Sequence, residues 1–344
     1  MVGYPLGGSE PSAAIQRVLH LVRVYAPIER PVVFTGPTGA GKGFFARLLH
    51  QLSGRKGGFV EVTGGQLTDS LLHSQLFGHV AGAFTGAQRN SRGAFEQAAN
   101  GTLFLDEIQH WTLPVQSALL HVLGEGRVRP IGAERELPVS CRTVFASAIR
   151  LDDLVTEHRL LPDLRWRVAF LEVPIPPLCE RVADILPLAY AFLEQARSDF
   201  GISEEPCFDH DAIALLLGYE WPGNLRELRG VVEFAAINAK AANRVTIAEY
   251  DFPQHMREHK RALNACPGET RQAAVEWMLE RTEGNRSEAA RRLGLHRNTV
   301  SRRGSVAARP EPVHYADVES DRIADARSRR NVSCGRPPVE FPRR

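Results

Sequence analysis

The sequence predicts an α/β fold: a parallel sheet flanked by helices, then a small all-helical domain, then a C-terminal helix-turn-helix. Three observations predict it. First, short apolar runs alternate with helix-spaced segments over residues 1–172; they are Val32-Val33-Phe34, Thr102-Leu103-Phe104-Leu105 and Thr143-Val144-Phe145-Ala146. Strands that read as unbroken apolar runs belong to sheets covered on both faces. Second, past Pro174, Pro176 and Pro177, residues 173–252 keep helical spacing and show no clear strand run. Third, residues 281–303 carry seven arginines against two glutamates in a chain whose net charge is only +2. A local basic patch on a near-neutral protein is the footprint of a DNA-binding module.

The chain has 344 residues, enough for two or three domains and for a large core without disulfides. Its 43% hydrophobic and 24% charged residues are ordinary for a globular protein. The five cysteines, Cys141, Cys179, Cys207, Cys266 and Cys334, form no CxxC pair. That argues against a zinc site and for reduced thiols in the cytoplasm. No basic stretch followed by an apolar run marks a signal peptide, and no run of 18 apolar residues marks a membrane span.

The elements follow in order. Val32-Val33-Phe34 ends at Gly36-Pro37-Thr38-Gly39-Ala40-Gly41-Lys42-Gly43, and residues 44–52 have helical spacing. A GxxxxGK loop between a strand and a helix cradles phosphates: its backbone N–H groups point inward and the helix offers its positive end. Lys42 reaches the outer phosphates. The last position is Gly43 rather than Ser or Thr, so the loop offers magnesium no hydroxyl and another group must hold the metal. Asp106-Glu107, ending an apolar strand 64 residues after Lys42, supplies that group. Alone, a strand ending in Asp-Glu is more often a solvated strand end; paired with the loop, Asp106 can hold magnesium through water, and Glu107 can orient and deprotonate the attacking water that hydrolysis requires.

Between these motifs lies Gly82-Ala83-Phe84-Thr85-Gly86-Ala87. Two glycines permit a tight turn with Phe84 and Thr85 at its tip. An exposed Phe there would be a contact surface; a Phe84 folded inward would make it an ordinary hairpin.

In the helical region, Ile185–Phe200 and residues 211–217 and 224–239 have helical spacing, the last following Trp221-Pro222-Gly223. Residues 253–268, with Pro253, Pro267 and Gly268, read as a linker. Residues 269–303 read as a helix-turn-helix. Ser287 is its N-cap candidate, and Ala289, Ala290 and Leu293 form its apolar face. Gly294 makes the turn. A second helix from about His296 offers Arg297, Asn298, Thr299, Ser301 and Arg302 to phosphates and base edges. Gly304 interrupts that helix. Residues 304–344, with five prolines, eight arginines and six acids, read as a disordered tail or a frameshifted end.

The hexapeptide at residues 82–87 resembles the GAFTGA signature of bacterial enhancer-binding proteins, the AAA+ activators of sigma-54 RNA polymerase. The flanking sequence resembles them too. Leu76-Phe77-Gly78-His79 precedes it; Gly93-Ala94-Phe95-Glu96-Gln97-Ala98 and the strand ending in Asp106-Glu107 come after it. Pro176-Pro177-Leu178-Cys179-Glu180-Arg181 resembles the start of the family's lid, Trp221-Pro222-Gly223-Asn224-Leu225-Arg226 its second sensor, and residues 284–303 its Fis-type helix-turn-helix. The likeness covers roughly residues 6–303.

The resemblance implies an AAA+ P-loop core, a helical lid, ATP and Mg2+, and a hexameric ring that binds enhancer DNA and remodels the sigma-54 polymerase closed complex. Residues 82–87 would touch sigma-54. Arg226 would sense nucleotide within its own subunit. Arg167 would be the arginine finger for a neighbour's ATP, with Arg165 as its competitor. The core begins at Leu6-Gly7-Gly8-Ser9, which leaves no N-terminal sensing domain and implies control from elsewhere. Three positions depart from the pattern. Leu161 stands for a second arginine, Thr63 for an asparagine that restrains the catalytic glutamate, and Ala148 for a polar sensor, with the Ser147 hydroxyl beside it. With Gly43, they support an alternative: a hydrolysis-impaired, DNA-bound co-activator working in mixed rings with an intact relative.

Overall fold

The computed structural model describes residues 10–65, 69–258 and 268–293, with 295 and 300. The DNA-contact candidates Arg297, Asn298, Thr299, Ser301 and Arg302, the turn residue Gly294, residues 6–9 and the 304–344 tail lie outside the described residues.

Five strands form one sheet: β1 (Val32–Thr35), β2 (Phe59–Thr63), β3 (Thr102–Asp106), β4 (Arg142–Ser147) and β5 (Leu171–Pro174). They are all parallel, in the order β2-β3-β4-β1-β5. Two helices, α1 (Ala13–Tyr25) and α2 (Lys42–Leu52), pack against one face of this sheet.

The three central strands are the three apolar runs of the sequence, and their alternate residues build two separate cores. Val33, Leu103, Leu105 and Phe145 face Leu72, Leu76, Leu119 and Leu164. Val32, Phe34, Phe104, Val144 and Ala146 face α1 and α2 through Ile15, Val18, Val22, Phe45 and Leu49. The period of two along a strand thus divides one apolar run between two helical layers. Arg142, buried at the start of β4, ties α1 to the sheet by donating to the carbonyls of Ala26 (2.7 Å), Tyr25 (2.8 Å) and Arg30 (3.2 Å).

The two edge strands, β2 and β5, carry mixed burial and leave no apolar run in the sequence. Pro174 ends β5 at the sheet edge, where a missing N–H breaks no ladder. Registers Thr63↔Asp106 and Thr35↔Ser147 bring the C-terminal ends of β1 to β4 together. In an open parallel sheet that edge is where ligands bind.

The helical region contains α3 (Ile185–Phe200), α4 (His210–Gly218) and α5 (Asn224–Ala241). It also holds a two-residue parallel pair, Cys207–Phe208 with Thr246–Ile247, too short to leave a strand signature. The 253–268 segment is not wholly a linker: Gln254–Glu258 is helical and anchors itself with buried Met256.

Two C-terminal helices follow, α6 (Gly268–Arg281) and α7 (Arg286–Leu293). Ser287 lies inside α7 rather than capping it. The cap is Asn285, whose Oδ1 accepts from the Glu288 N–H at 3.1 Å, because an N-cap side chain must reach the second or third residue beyond it. Ala274, Val275, Trp277, Met278, Ala289, Ala290 and Leu293 share one core with α3, α4 and α5. The Trp277 ring lies 4.8 Å from Tyr190, and Arg281 covers Tyr190 and pairs with Glu205 at 3.0 Å.

Candidate active site

The phosphate loop leaves β1 at its buried C-terminal end. Gly39 has φ +77°, and a Cβ there would lie 2.3 Å from the Gly223 carbonyl oxygen, so only glycine lets the two segments meet. Lys42, the first residue of α2, is buried, and its Nζ donates to the carbonyls of Gly36 (2.7 Å) and Pro37 (3.1 Å). Burial lowers its pKa, as does Arg226, while Asp106 and Glu107 oppose that shift.

The loop is gripped from the helical domain. Arg181, buried at the entrance to that domain, donates to the Ala40 carbonyl at 2.7 Å. Asn224 donates from Nδ2 to the Thr38 carbonyl at 3.0 Å, and the Leu225 N–H donates to Gly39 at 3.0 Å. The Asn224 Oδ1 also accepts from the Leu178 N–H at 2.7 Å. Asp184 accepts both from the Ser12 N–H and from its hydroxyl at 2.7 Å, joining α1 to the same corner. Sequence reasoning misses these roles of Arg181, Asp184 and Asn224, although Arg181 and Asn224 lie within the two motifs it singles out, residues 176–181 and 221–226.

A cleft of about 290 Å³ opens over the loop. Thr38, Gly39, Gly41, Lys42 and Gly43 line one side, Asp106 and Glu107 another, and Arg226 reaches in from α5. Burial pushes the Asp106 carboxyl above its ordinary range, helped by Glu107 and Glu61, while the Glu107 N–H and Lys42 pull the other way. Glu107 has φ +55°, a left-handed conformation that is uncommon for a residue with a side chain and recurs at functional sites. Its N–H donates to Asp106 Oδ1 at 2.8 Å. Among the described residues no trio of His, Cys, Asp or Glu is arranged to hold a metal ion. The Asp106 carboxylate, lining the cleft beside the phosphate loop, has the chemistry to meet a divalent cation through water.

Two of the departures from the family pattern become physical here. Ala148 lines the cleft. The Ser147 hydroxyl does not substitute for it: Ser147 is buried and donates to the Ile149 carbonyl at 2.6 Å. Thr63, beside Asp106 in the sheet, makes no hydrogen bond to Glu107 among the described residues. Glu61, two residues earlier on β2, does line the cleft.

Three segments of the chain match known families. Residues 9–174 match the sigma-54 interaction domain, residues 179–266 the AAA+ ATPase lid domain, and residues 272–303 the bacterial regulatory proteins of the Fis family. The Psp operon transcriptional activator of Escherichia coli K12 is 43% identical over 217 residues, covering 63% of this chain and 67% of its own. The chain belongs to the sigma-54-dependent transcriptional activators.

Another relative, the C4-dicarboxylate transport transcriptional regulatory protein DctD of Pseudomonas aeruginosa, is 38% identical over 84% of this chain and 62% of its own. The chain spans about three fifths to two thirds of the length of such curated relatives. Among solved structures, NtrX from Brucella abortus in complex with ADP superposes with a TM-score of 0.68 at 28% identity, over 86% of this chain and 68% of NtrX. A second NtrX structure is in complex with ATP.

In this activator the two finger candidates part company. Arg165 is tied to Asp152 at 2.8 Å and lies over the Trp166 ring. Arg167 is exposed beside Gly124, with no ion pair among the described residues. Leu161 packs against the sheet core, and its N–H donates to the Gln116 side chain at 2.9 Å.

The hexapeptide forms a compact loop. Gly82 and Gly86 have φ +81° and +101°. The Gly82 N–H donates to Ala87 at 2.8 Å and the Ala87 N–H to Phe84 at 3.0 Å. Phe84 is 39% exposed, edge-on to His79 at 5.0 Å, so the ring is not folded into the core. Thr85 is exposed, whereas Ala87 is buried. At its base, Gly78–His79 pairs with Ser91–Arg92, and the Val80 N–H donates to Ile131 at 3.1 Å. Among the described residues no helix is long and apolar enough to cross a membrane.

Proposed function

We propose that this activator is a ring-forming ATPase that binds enhancer DNA and drives sigma-54 RNA polymerase from the closed to the open promoter complex. The observation that carries this reading is the convergence of Lys42, Asp106, Glu107 and Arg226 on one cleft over the phosphate loop. The NtrX structures with ADP and ATP support a nucleotide as its occupant. Lys42 leaves its two carbonyl partners for the outer phosphates. Glu107 takes a proton from the attacking water, the water oxygen bonds to the terminal phosphorus, and the bond to ADP breaks. Magnesium, held through water by Asp106, would supply charge neutralisation at the phosphates.

Arg226 reports nucleotide to the lid, which already grips the phosphate loop. Arg167, exposed and without an ion pair among the described residues, completes a neighbour's site, so hydrolysis requires assembly. Such head-to-tail contacts close into rings, and the family resemblance makes the ring a hexamer. Residues 82–87 are the part that meets sigma-54. The helix-turn-helix, with Arg297, Asn298, Thr299, Ser301 and Arg302, binds DNA in the cytoplasm.

ATPase rate against protein concentration tests this. A rate per subunit that rises with concentration and vanishes in Glu107→Ala supports the ring. A second reading, a hydrolysis-impaired co-activator that needs an intact relative, is favoured by the inward Ser147 hydroxyl and by Thr63, which does not engage Glu107. It predicts a flat, negligible rate alone and activity on mixing with that relative.

A further inference from the structure

Gly43 follows the phosphate-binding lysine at the position where a loop of this type commonly offers the metal a hydroxyl. A Cβ at Gly43 would meet nothing within 4 Å but the Phe104 ring, at 3.8 Å. Glu61 borders the same space. It pairs in register with Phe104, and two residues further along, Thr63 pairs with Asp106. Side chains two apart on a strand share a face, as do register partners on parallel strands, so Glu61 and Asp106 look toward the same side of the sheet. Both line the cleft with Lys42 and Glu107.

The carboxylate is not loose. Arg47, one helical turn after Gly43 on α2, donates to Glu61 Oε2 at 2.6 Å and lies over the Phe59 ring at 4.6 Å. As a surface ion pair this contact would stabilise the fold little. Glu61 itself lines the cleft, which gives its carboxylate a second consequence. Glu61, Asp106 and Glu107 are three carboxylates against the cations Lys42 and Arg226. Arg47 offsets part of the Glu61 charge from outside the cleft, and the carboxylate oxygen that Arg47 does not engage favours a hydrated divalent cation over bare phosphate.

We propose that Glu61 is a positioning residue of the metal–nucleotide site, accepting a hydrogen bond from a water on the divalent cation and replacing the side chain that Gly43 lacks. A water-mediated role agrees with the absence, among the described residues, of three groups arranged to grip a bare ion, and magnesium ordinarily keeps several of its waters. The inference rests on reading the cleft as a metal–nucleotide site.

The test is equilibrium binding of a fluorescent ATP analogue to the full chain across a magnesium titration, which needs no hydrolysis. Glu61→Gln is expected to tighten binding without magnesium and to raise the half-saturating magnesium concentration about three- to fivefold, the scale of one partly exposed charge pair. Adding Gly43→Ser to that variant returns the requirement toward wild type. Arg47→Gln breaks the ion pair but keeps the carboxylate, and is expected not to raise the magnesium requirement. Unchanged magnesium dependence in Glu61→Gln overturns the inference, and so does an Arg47→Gln variant that behaves like Glu61→Gln, since the pair would then be merely structural. A wild type that binds no nucleotide at any magnesium concentration sinks the reading of the cleft itself, a separate result.

Discussion

The phosphate loop and the hexapeptide loop are both glycine-rich turns, yet they are held in different ways. Three successive carbonyls of the phosphate loop, Thr38, Gly39 and Ala40, are gripped by Asn224, Leu225 and Arg181 of the helical domain. The hexapeptide is closed mainly by its own backbone and leaves Phe84 and Thr85 in the open. Chemistry on phosphates requires preorganised donors, and a loop that engages a partner requires a surface free to meet it. The phosphate loop is thus tied to the lid, whereas the hexapeptide is tied to the short strand pair at its base, Gly78–His79 with Ser91–Arg92.

Substitutions on the two sides break this comparison at different scales. The largest effect belongs to Trp221, buried beside the Asn224 grip with its Nε1 donating to Leu216 at 2.9 Å. Trp221→Ala is predicted to destabilise by about 3–5 kcal/mol in denaturant unfolding. Lys42→Ala is predicted to weaken nucleotide binding about 100-fold by direct titration, the scale of lost hydrogen bonds between charged groups, with the fold retained by circular dichroism.

Asp106→Asn gives a smaller effect with a definite sign. Burial raises the folded-state pKa of Asp106, so the stability it contributes is present at low pH and lost as pH rises through that raised value. At neutral pH the nucleotide-free Asn variant should therefore melt about 1–3 °C higher than wild type. The difference should fade as pH drops toward the ordinary carboxylate value of 3.8. The smallest stability effect is expected at Phe84. Phe84→Ala should change stability by less than about 0.5 kcal/mol, leave ATP hydrolysis intact and abolish capture of sigma-54.

Legibility in the sequence tracks the range of the interactions. The phosphate loop, the Asp106-Glu107 strand end and the three central strands are each written in a few adjacent residues. The edge strands β2 and β5 are half-exposed and carry no such run. Residues 253–258 read as linker because Pro253 and charges hide a single apolar anchor, Met256. The lid grips are invisible for a different reason: Asn224 meets Thr38 and Arg181 meets Ala40 across 186 and 141 residues of chain. Glu61 carries no motif, and only its register with Phe104 brings it to the cleft.

The central claim, that one subunit's Glu107 works with a neighbour's Arg167, is tested most directly by mixing two variants. Glu107→Ala and Arg167→Ala are each predicted to be inactive alone, and an equal mixture should regain ATPase activity from sites that take Glu107 from one subunit and Arg167 from the next. A mixture that assembles yet stays inactive, or an Arg167→Ala protein that hydrolyses ATP at the wild-type rate, would contradict the account.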